Sequence, residues 1–164
     1  MKTVILSLAA LLAFSGTLQS ATPNRGKASL TGLKGVFVVV SSIDQAARKD
    51  GLLESRVREV TEAALRAANI PIRTQPEAAD GDANLVITID TIKHPQGPYL
   101  FSVSVALVQM VRLTRSPSGT PIPAETWGAK GLGLTSPARM DIIEEPLKEK
   151  LGEFISTFRS ANQQ

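Results

Sequence analysis

The stretch YLFSVSVALVQMVRLTR, residues 99–115, decides the fold class, because large apolar side chains recur in it at every second position. One parity carries Tyr99, Phe101, Val103, Val105, Leu107, Val111 and Leu113, with Gln109 as the interruption. Such alternation predicts a β-strand with one face against a core. An unbroken strand of this length would span about 50 Å at about 3.3 Å per residue. We therefore predict a bend or bulge near Gln109.

Two further runs flank this strand and predict an antiparallel meander. Residues 85–93, LVITIDTIK, alternate in the same way, and the turn HPQGP at residues 94–98 joins them to it. On the other side, residues 125–134, ETWGAKGLGL, predict a returning strand softened by three glycines, with Trp127 as its main packing group. The three runs together predict three consecutive antiparallel strands.

Two shorter runs precede the meander. Residues 35–40, GVFVVV, are apolar on both faces, which is typical of a strand that is covered on both sides or lies in the centre of a sheet. Residues 70–74, IPIRT, predict a short edge strand, because Pro71 cannot donate a hydrogen bond to a neighbouring strand. These runs bring the predicted sheet to four or five strands.

Two amphipathic segments predict helices. Apolar residues recur at spacings of three and four across residues 51–68, with Asp50 as the N-cap. A second such segment covers residues 137–159, with Ser136 as its N-cap. Pro146 lies inside this segment and must kink or restart the helix, because its ring removes an amide donor and crowds the preceding turn.

These elements add up to one α+β domain at residues 35–164. The predicted order is β-α-β-β-β-β-α, and the natural packing is a two-layer domain. One layer is a mainly antiparallel sheet of 4–5 strands, and two helices lie on one face of it. The free face of the sheet carries mostly Ser, Ala, Thr and Met side chains. It is thinly polar, and we expect that a partner can cover it.

The first 21 residues have the order of a secretory signal peptide: Lys2, an apolar run at residues 4–14, and small and polar residues to Ala21. The apolar run is shorter than the roughly 20 residues that span a bilayer, so cleavage is favoured over a membrane anchor. Residues 22–34 carry no apolar periodicity and predict a flexible leader. We therefore expect an exported protein, with the periplasm favoured over the extracellular space.

The composition excludes several kinds of partner. The chain has no cysteine, and therefore no disulfide and no lipid-attachment site. The formal net charge is only +3 and aromatic residues make up 4% of the chain, so neither a basic stripe nor a stacking surface for nucleic acid is expected. We expect no stable membrane insertion. The oligomeric state is left open.

The residues give no recognisable catalytic site. His94 is the only histidine, so neither a Ser-His-Asp relay nor a histidine-rich zinc site can be assembled. Gly131 and Gly133 begin a G-x-G, but a dinucleotide site needs such glycines between a strand and a helix start. Relief of crowding within a strand explains them better. We predict that the protein is not an enzyme and has no catalytic, metal-binding or cofactor-binding residues and no cofactor.

A contact surface on the free face of the sheet is the candidate site. Its residues are Ser102, Ser104 and Ala106, together with Trp127, which is either a core anchor or an exposed contact. The leading hypothesis is a binding or accessory module that acts through a sheet face or edge. We expect its partner to be another envelope protein.

Two other functions stay open. A carrier of a small apolar ligand or lipid would need a cleft, which Phe101, Met110, Trp127 and Phe154 would suit. A hydrolase without a recognisable motif is the third alternative.

Five segments in series carry a family resemblance: GLKGVFVVV from Gly32, LRAANIPI from Leu65, ANLVITI from Ala83, YLFSVSVAL from Tyr99 and AETWG from Ala124. Together they resemble a family of small, uncharacterised exported bacterial proteins, over residues 32–162. The resemblance implies no functional residues. The order of elements is also similar to the envelope accessory modules of the TolB N-terminal domain and the lipopolysaccharide-assembly accessory lipoprotein. The missing lipid-attachment cysteine departs from that lipoprotein and argues against outer-membrane anchoring.

Overall fold

The structure is a computed structural model that describes residues 26–74 and 83–163. The predicted signal peptide at residues 1–21, and residues 22–25 of the predicted leader, lie outside the described residues. Within the described ranges the chain forms a sheet and a layer of helices. None of the helices in these ranges is both long and apolar enough to cross a membrane.

The sheet contains β1 (Phe37–Val40), β2 (Ala83–Lys93), β3 (Tyr99–Val111) and β4 (Ile122–Thr135), side by side in that order. β1 runs parallel to β2, because the chain crosses over through helices between them. β2, β3 and β4 form the predicted antiparallel meander. The predicted α+β class with a mainly antiparallel sheet is therefore confirmed.

Helices cover one face of this sheet. The short α1 (Lys27–Leu30) and α2 (Gln45–Lys49) and the longer α3 (Glu54–Ala67) precede β2. A 3₁₀ helix (Pro137–Ile143) leads into α4 (Glu144–Asn162). α3 packs along β1, and α4 lies against β3 and β4. The two long helices thus lie on one face, as predicted.

The core lies between these helices and the odd-numbered side chains of β2 and β3, as the alternation in the sequence predicts. The buried strand residues are Leu85, Ile87, Ile89, Tyr99, Phe101, Val103, Val105 and Leu107. Opposite them, α4 contributes Leu147, Leu151 and Phe154, all but completely buried. Full burial of side chains of this size is worth about 1.5–3 kcal/mol each, so the contact between the two layers holds the domain together.

The first long helix begins later than the sequence suggests. Asp44 caps α2, because its carboxylate accepts hydrogen bonds from two amides of the first turn. α3 then starts only at Glu54. Gly51 separates the two helices with a φ of +103°, a conformation that favours glycine. The prediction that Asp50 caps one helix over residues 51–68 is therefore wrong.

Asp50 instead ties the helix layer to the end of the sheet. Tyr99 Oη donates a hydrogen bond to the Asp50 carboxylate over 2.6 Å, and Lys93 Nζ donates to the same oxygen over 2.7 Å. Lys93 Nζ also lies 5.0 Å from the centre of the Tyr99 ring. The hydrogen bonds from Lys93 and Tyr99 hold the pKa of Asp50 below its usual value.

We expect this cluster to make the protein less stable at acidic pH. A carboxyl group whose pKa is lower in the folded than in the unfolded chain stabilises the fold above about pH 3.9, and the contribution disappears as the pH falls through the folded-state pKa. Asp50→Asn should therefore lower the urea midpoint near neutral pH and flatten its decline below about pH 4. Lys93→Met should do the same. Parallel declines in all three proteins would show that the cluster does not contribute.

Residues 26–34, which the sequence places in a flexible leader, pack against the domain. Leu30 and Leu33 are buried. Asn162 at the end of α4 donates to the carbonyl oxygen of Leu30 and accepts from the amide of Gly32, both over 2.9 Å. The flexible-leader prediction is wrong for these residues. Two leucines three positions apart are too short a pattern to predict this, because their partner lies about 130 residues further along the chain.

The predicted edge strand at residues 70–74 is reduced to one bridge, between Val36 and Ile72. The Val36 amide donates to the Pro71 carbonyl oxygen, but Pro71 has no amide with which to extend the pairing. The sheet therefore has four strands among the described residues. β1 lies at its edge and pairs with β2 alone, so of the two positions that its sequence suggests, the central one is wrong.

Two predicted irregularities are confirmed close to their expected positions. The β3–β4 register shifts between Leu107 and Val108, where Thr126 of β4 has no residue opposite it. The nearby Gln109 side chain accepts a hydrogen bond from Thr126 Oγ1 over 2.7 Å. Pro146 lies in the first turn of α4, which restarts after the 3₁₀ helix. A proline is tolerated there because its missing amide would have no partner in the helix.

Candidate binding surface

β2, β3 and the part of β4 after its bulge turn their even-numbered side chains to the face that no described helix covers; we call it the uncovered face. The strand register arranges these side chains in rows. From one end, the rows are Ile92–Leu100–Leu134, Asp90–Ser102–Leu132, Thr88–Ser104–Lys130 and Val86–Ala106–Gly128. The uncovered face is therefore apolar at one end and polar in the middle.

Four large aliphatic side chains at this end are exposed to solvent. Ile92 is 68% exposed, Leu100 46%, Leu132 79% and Leu134 71%. They are neighbours across β2, β3 and β4, and we call them the apolar corner. Contiguous exposed apolar side chains mark interaction sites more often than isolated ones do. The apolar corner is therefore the strongest candidate site on the described surface.

Glycines explain why β4 turns its leucines outward. Gly131 and Gly133 occupy the positions of β4 that face the helices. A Cβ atom at Gly133 would overlap the ring of Phe101, which fills the space above the strand. The large side chains in this last part of the strand, Leu132 and Leu134, therefore lie on the opposite, uncovered face. The interpretation that glycine relieves crowding in this strand is supported at Gly133.

Two charged side chains flank the middle of the uncovered face without an ion pair among the described residues. Asp90 accepts a hydrogen bond from Ser102 Oγ at 3.3 Å. Lys130 has no side-chain hydrogen bond within the described ranges, and both residues are exposed. Two strand spacings and one row separate them, about 12 Å between Cα atoms from sheet geometry.

The structure brings three of the four predicted contact residues together. Ser102, Ser104 and Ala106 lie in successive rows of the uncovered face. Trp127 lies on the opposite face, where its ring meets Phe154 of α4 edge-on, with 5.3 Å between ring centres. Trp127 is half-buried and packs as a core anchor rather than beside the three other residues.

The four residues proposed for a carrier's cleft do not share one. Phe101 and Phe154 are buried between the sheet and the helices, and Trp127 packs against them from the same side. Met110 is 57% exposed and lies on the other face of β3. The carrier hypothesis therefore loses the residues on which it rested.

The two edges of the sheet differ in how they are closed. At β1, Arg58 Nη1 donates to the Val38 carbonyl oxygen over 2.7 Å and occupies the edge. At β4, Ser29 Oγ donates to the Thr126 carbonyl oxygen over 3.1 Å. Beyond that point, residues 128–134 have no backbone partner on their outer side among the described residues. The open part of the β4 edge thus adjoins the apolar corner.

Other features of the described surface offer less. An open groove of about 630 Å³ runs beside β1 and the end of α3. Arg58 and Arg66 line it, and both are engaged, with Val38 and Glu62 respectively. His94 is exposed in the β2–β3 turn, where its Nδ1 accepts from the Gln96 amide. Residues 26–74 and 83–163 contain no group of three or more side chains suited to hold a metal ion.

Fold and surface together define a two-layer α+β module with one face of its sheet left open. No family model matches the chain, and no curated protein matches it. Among solved structures, the chain is similar to a minor lipoprotein from Acinetobacter baumannii, with 11% sequence identity and a TM-score of 0.29. The alignment covers 79% of this chain and 93% of that one. The function must therefore be inferred from the surface of this chain.

Proposed function

We propose that this protein is a non-catalytic binding module of the cell envelope, exported by a cleavable signal, that holds its partner on the uncovered face of its sheet. The observation that carries the proposal is the apolar corner. Its four aliphatic side chains are 46–79% exposed. Covering each would contribute up to about 1.5–3 kcal/mol to association.

The polar side chains in the middle of the uncovered face would fix the orientation of the bound partner. Apolar side chains alone bind without a preferred orientation, whereas hydrogen-bonding groups beside them fix one. Ser102, Ser104, Asp90 and Lys130 provide such groups one and two rows away from the apolar corner. A partner that meets both parts is held in one register.

A single introduced cysteine can test this proposal, because the chain has none of its own. We would place a photoreactive maleimide on Ser102→Cys, on the uncovered face, and on Ser156→Cys, on the solvent side of α4, as the matched control. In an envelope extract, position 102 should give a discrete crosslinked product and position 156 should not. Adding Leu134→Lys to Ser102→Cys should remove the product.

Leu134 is 71% exposed, so its replacement leaves the core intact, and far-UV circular dichroism would confirm this. Identical products from both positions, or a product that survives Leu134→Lys in a folded protein, would rule out the uncovered face as the binding surface.

A further inference from the structure

We infer that the uncovered face binds a second copy of this chain, related by a two-fold axis that runs along β3. This inference rests on the proposed function and names the partner for the same surface. An axis in this direction leaves β3 over β3 and places β2 of each copy over β4 of the other. Two helix-covered sheets would then face each other through their free sides, as in a β-sandwich.

The end row of the uncovered face, Ile92–Leu100–Leu134, is complementary to the same row of the second copy under this two-fold rotation. Leu100 lies in the middle of the row, between Ile92 and Leu134. The two-fold axis puts Leu100 against Leu100 of the second copy, and Ile92 against Leu134 of the second copy. Every aliphatic side chain of the row therefore meets another one. Self-complementarity of this kind is what a two-fold interface requires.

Two charges on the face, Asp90 and Lys130, come within one row of each other across the same axis, whereas Glu125 lies two rows beyond Lys130, opposite Asn84 of the second copy. Asp90 lies on β2 and Lys130 on β4, one row apart, with no ion pair among the described residues. The two-fold axis places Asp90 over β4 of the second copy, one row from its Lys130, and does the reverse for the other pair. Sheets that face each other cross at about 30° and lie about 10 Å apart. A lysine side chain is long enough to bridge that gap.

This pairing distinguishes a second copy from a lipid or an apolar ligand. An acyl chain on the apolar corner would bring Asp90 out of water beside Leu132 without a counter-charge. Burial of an unpaired carboxylate is costly. A second copy brings a lysine within one row of each aspartate and sets Ile92, Leu100 and Leu134 against aliphatic side chains.

The size of the face is sufficient for a dimer. β2, β3 and β4 together are about 14 Å wide and about 37 Å long from standard strand geometry, or about 500 Å² per copy. Two copies bury about 1,000 Å² in total, the size at which specific interfaces begin to differ from incidental contacts. We therefore expect a reversible dimer rather than an obligate one.

Exchange of the two charges tests the inference. Asp90→Lys gives a dimer with lysine against lysine twice, and Lys130→Asp gives one with aspartate against aspartate twice. Each variant alone should dimerise at least about tenfold more weakly than the unchanged protein, because like charges across an interface repel. Mixing the two variants should restore dimers, since the mixed pair has opposite charges at both contacts. Sedimentation velocity over a range of concentrations measures all of these.

Lys49→Asp is the matched control, because Lys49 is exposed on α2 in the helix layer and away from the sheet face. It should dimerise like the unchanged protein. A monomer at all concentrations, or single variants that dimerise normally, or a mixture that gains nothing, would each overturn the inference.

The crosslinking experiment distinguishes failure of the inferred dimer from failure of the proposed function. A crosslink from position 102 to a different envelope protein or to a lipid, lost with Leu134→Lys, together with a monomeric protein, would overturn the second copy while supporting a binding face. If neither a crosslink nor a dimer is found, both the proposed function and the inferred dimer are contradicted.

Discussion

Phe154→Ala should lower the free energy of unfolding by about 3–5 kcal/mol, the usual cost of removing a buried phenylalanine ring. Phe154 is fully buried, and its ring lies 5.3 Å from Trp127 of β4 and 6.3 Å from Phe158 of α4. Removing it leaves a cavity at the point where α4 meets the sheet. Since small domains have about 5–15 kcal/mol of stability in total, much of the protein would unfold in mild urea.

The measurement is urea unfolding, followed by the fluorescence of Trp127, the sole tryptophan, and by far-UV circular dichroism. Leu132→Ala, compared at a protein concentration low enough to keep every variant monomeric, is the matched control, because it removes an aliphatic side chain that is 79% exposed. It should change the stability by less than about 0.5 kcal/mol. Similar losses in both variants would mean that α4 does not pack on the sheet as described.

Gly133→Ala should cost about 1–3 kcal/mol or more, even though it adds only a methyl group. The new Cβ would overlap the Phe101 ring, which is itself 3% exposed and held in the core. Overpacking of this kind forces side chains out of their rotamers or shifts the backbone. The same unfolding experiment measures the loss.

Gly131→Ala is a control on the same strand and the same face. There the new Cβ would come within 3.2 Å of Lys150 Cε, the far part of a flexible side chain that can move away. We expect an effect near zero, since alanine also reduces the entropy of the unfolded chain. In the double variant, Phe101→Leu should reduce the loss of stability caused by Gly133→Ala, because substitutions at residues in contact do not have additive effects. Equal effects at the two glycines would contradict the proposed packing.

The outcome at Gly133 also concerns the binding surface. The leucines of GLGL lie on the outside because the Phe101 ring fills the space on the inner side of β4 at Gly133. This signal was present in the sequence, as two glycines alternating with two leucines. The sequence did not show which of the two faces the core, because either parity of an alternating strand can do so until the neighbouring Phe101 is placed.

The predicted contact residues also divide into those that local sequence placed correctly and one that needed the tertiary structure. Ser102, Ser104 and Ala106 were predicted together because they share one parity of β3, and parity is a local property. Trp127 was added as a large side chain on a neighbouring strand, where two faces were open to it. The bulge at Thr126 and the packing of the Trp127 ring on Phe154 fix its side, and both depend on contacts between distant segments.

Errors in the helix layer have a similar origin. Asp50 has the right chemistry for an N-cap, but its carboxylate is engaged by Lys93 and Tyr99, more than 40 residues away. Residues 26–34 resemble a leader until the end of α4 supplies buried surface for Leu30 and Leu33. Neither contact leaves a local pattern, because the partners are more than 40 residues apart in the first case and about 130 residues apart in the second.

The sequence by itself determined the α+β class, the antiparallel meander, the buried parity of β2 and β3, and the restart of the last helix at Pro146. Each of these follows from side chains within a few residues of one another, whose periodicity or ring chemistry acts locally. Only the tertiary structure decided which strand lies at the edge, that Leu132 and Leu134 face solvent, and that Asp90 and Lys130 share one face without an ion pair to any described residue. Those features arise from packing across strands, where the space that one side chain fills determines which way its neighbour turns.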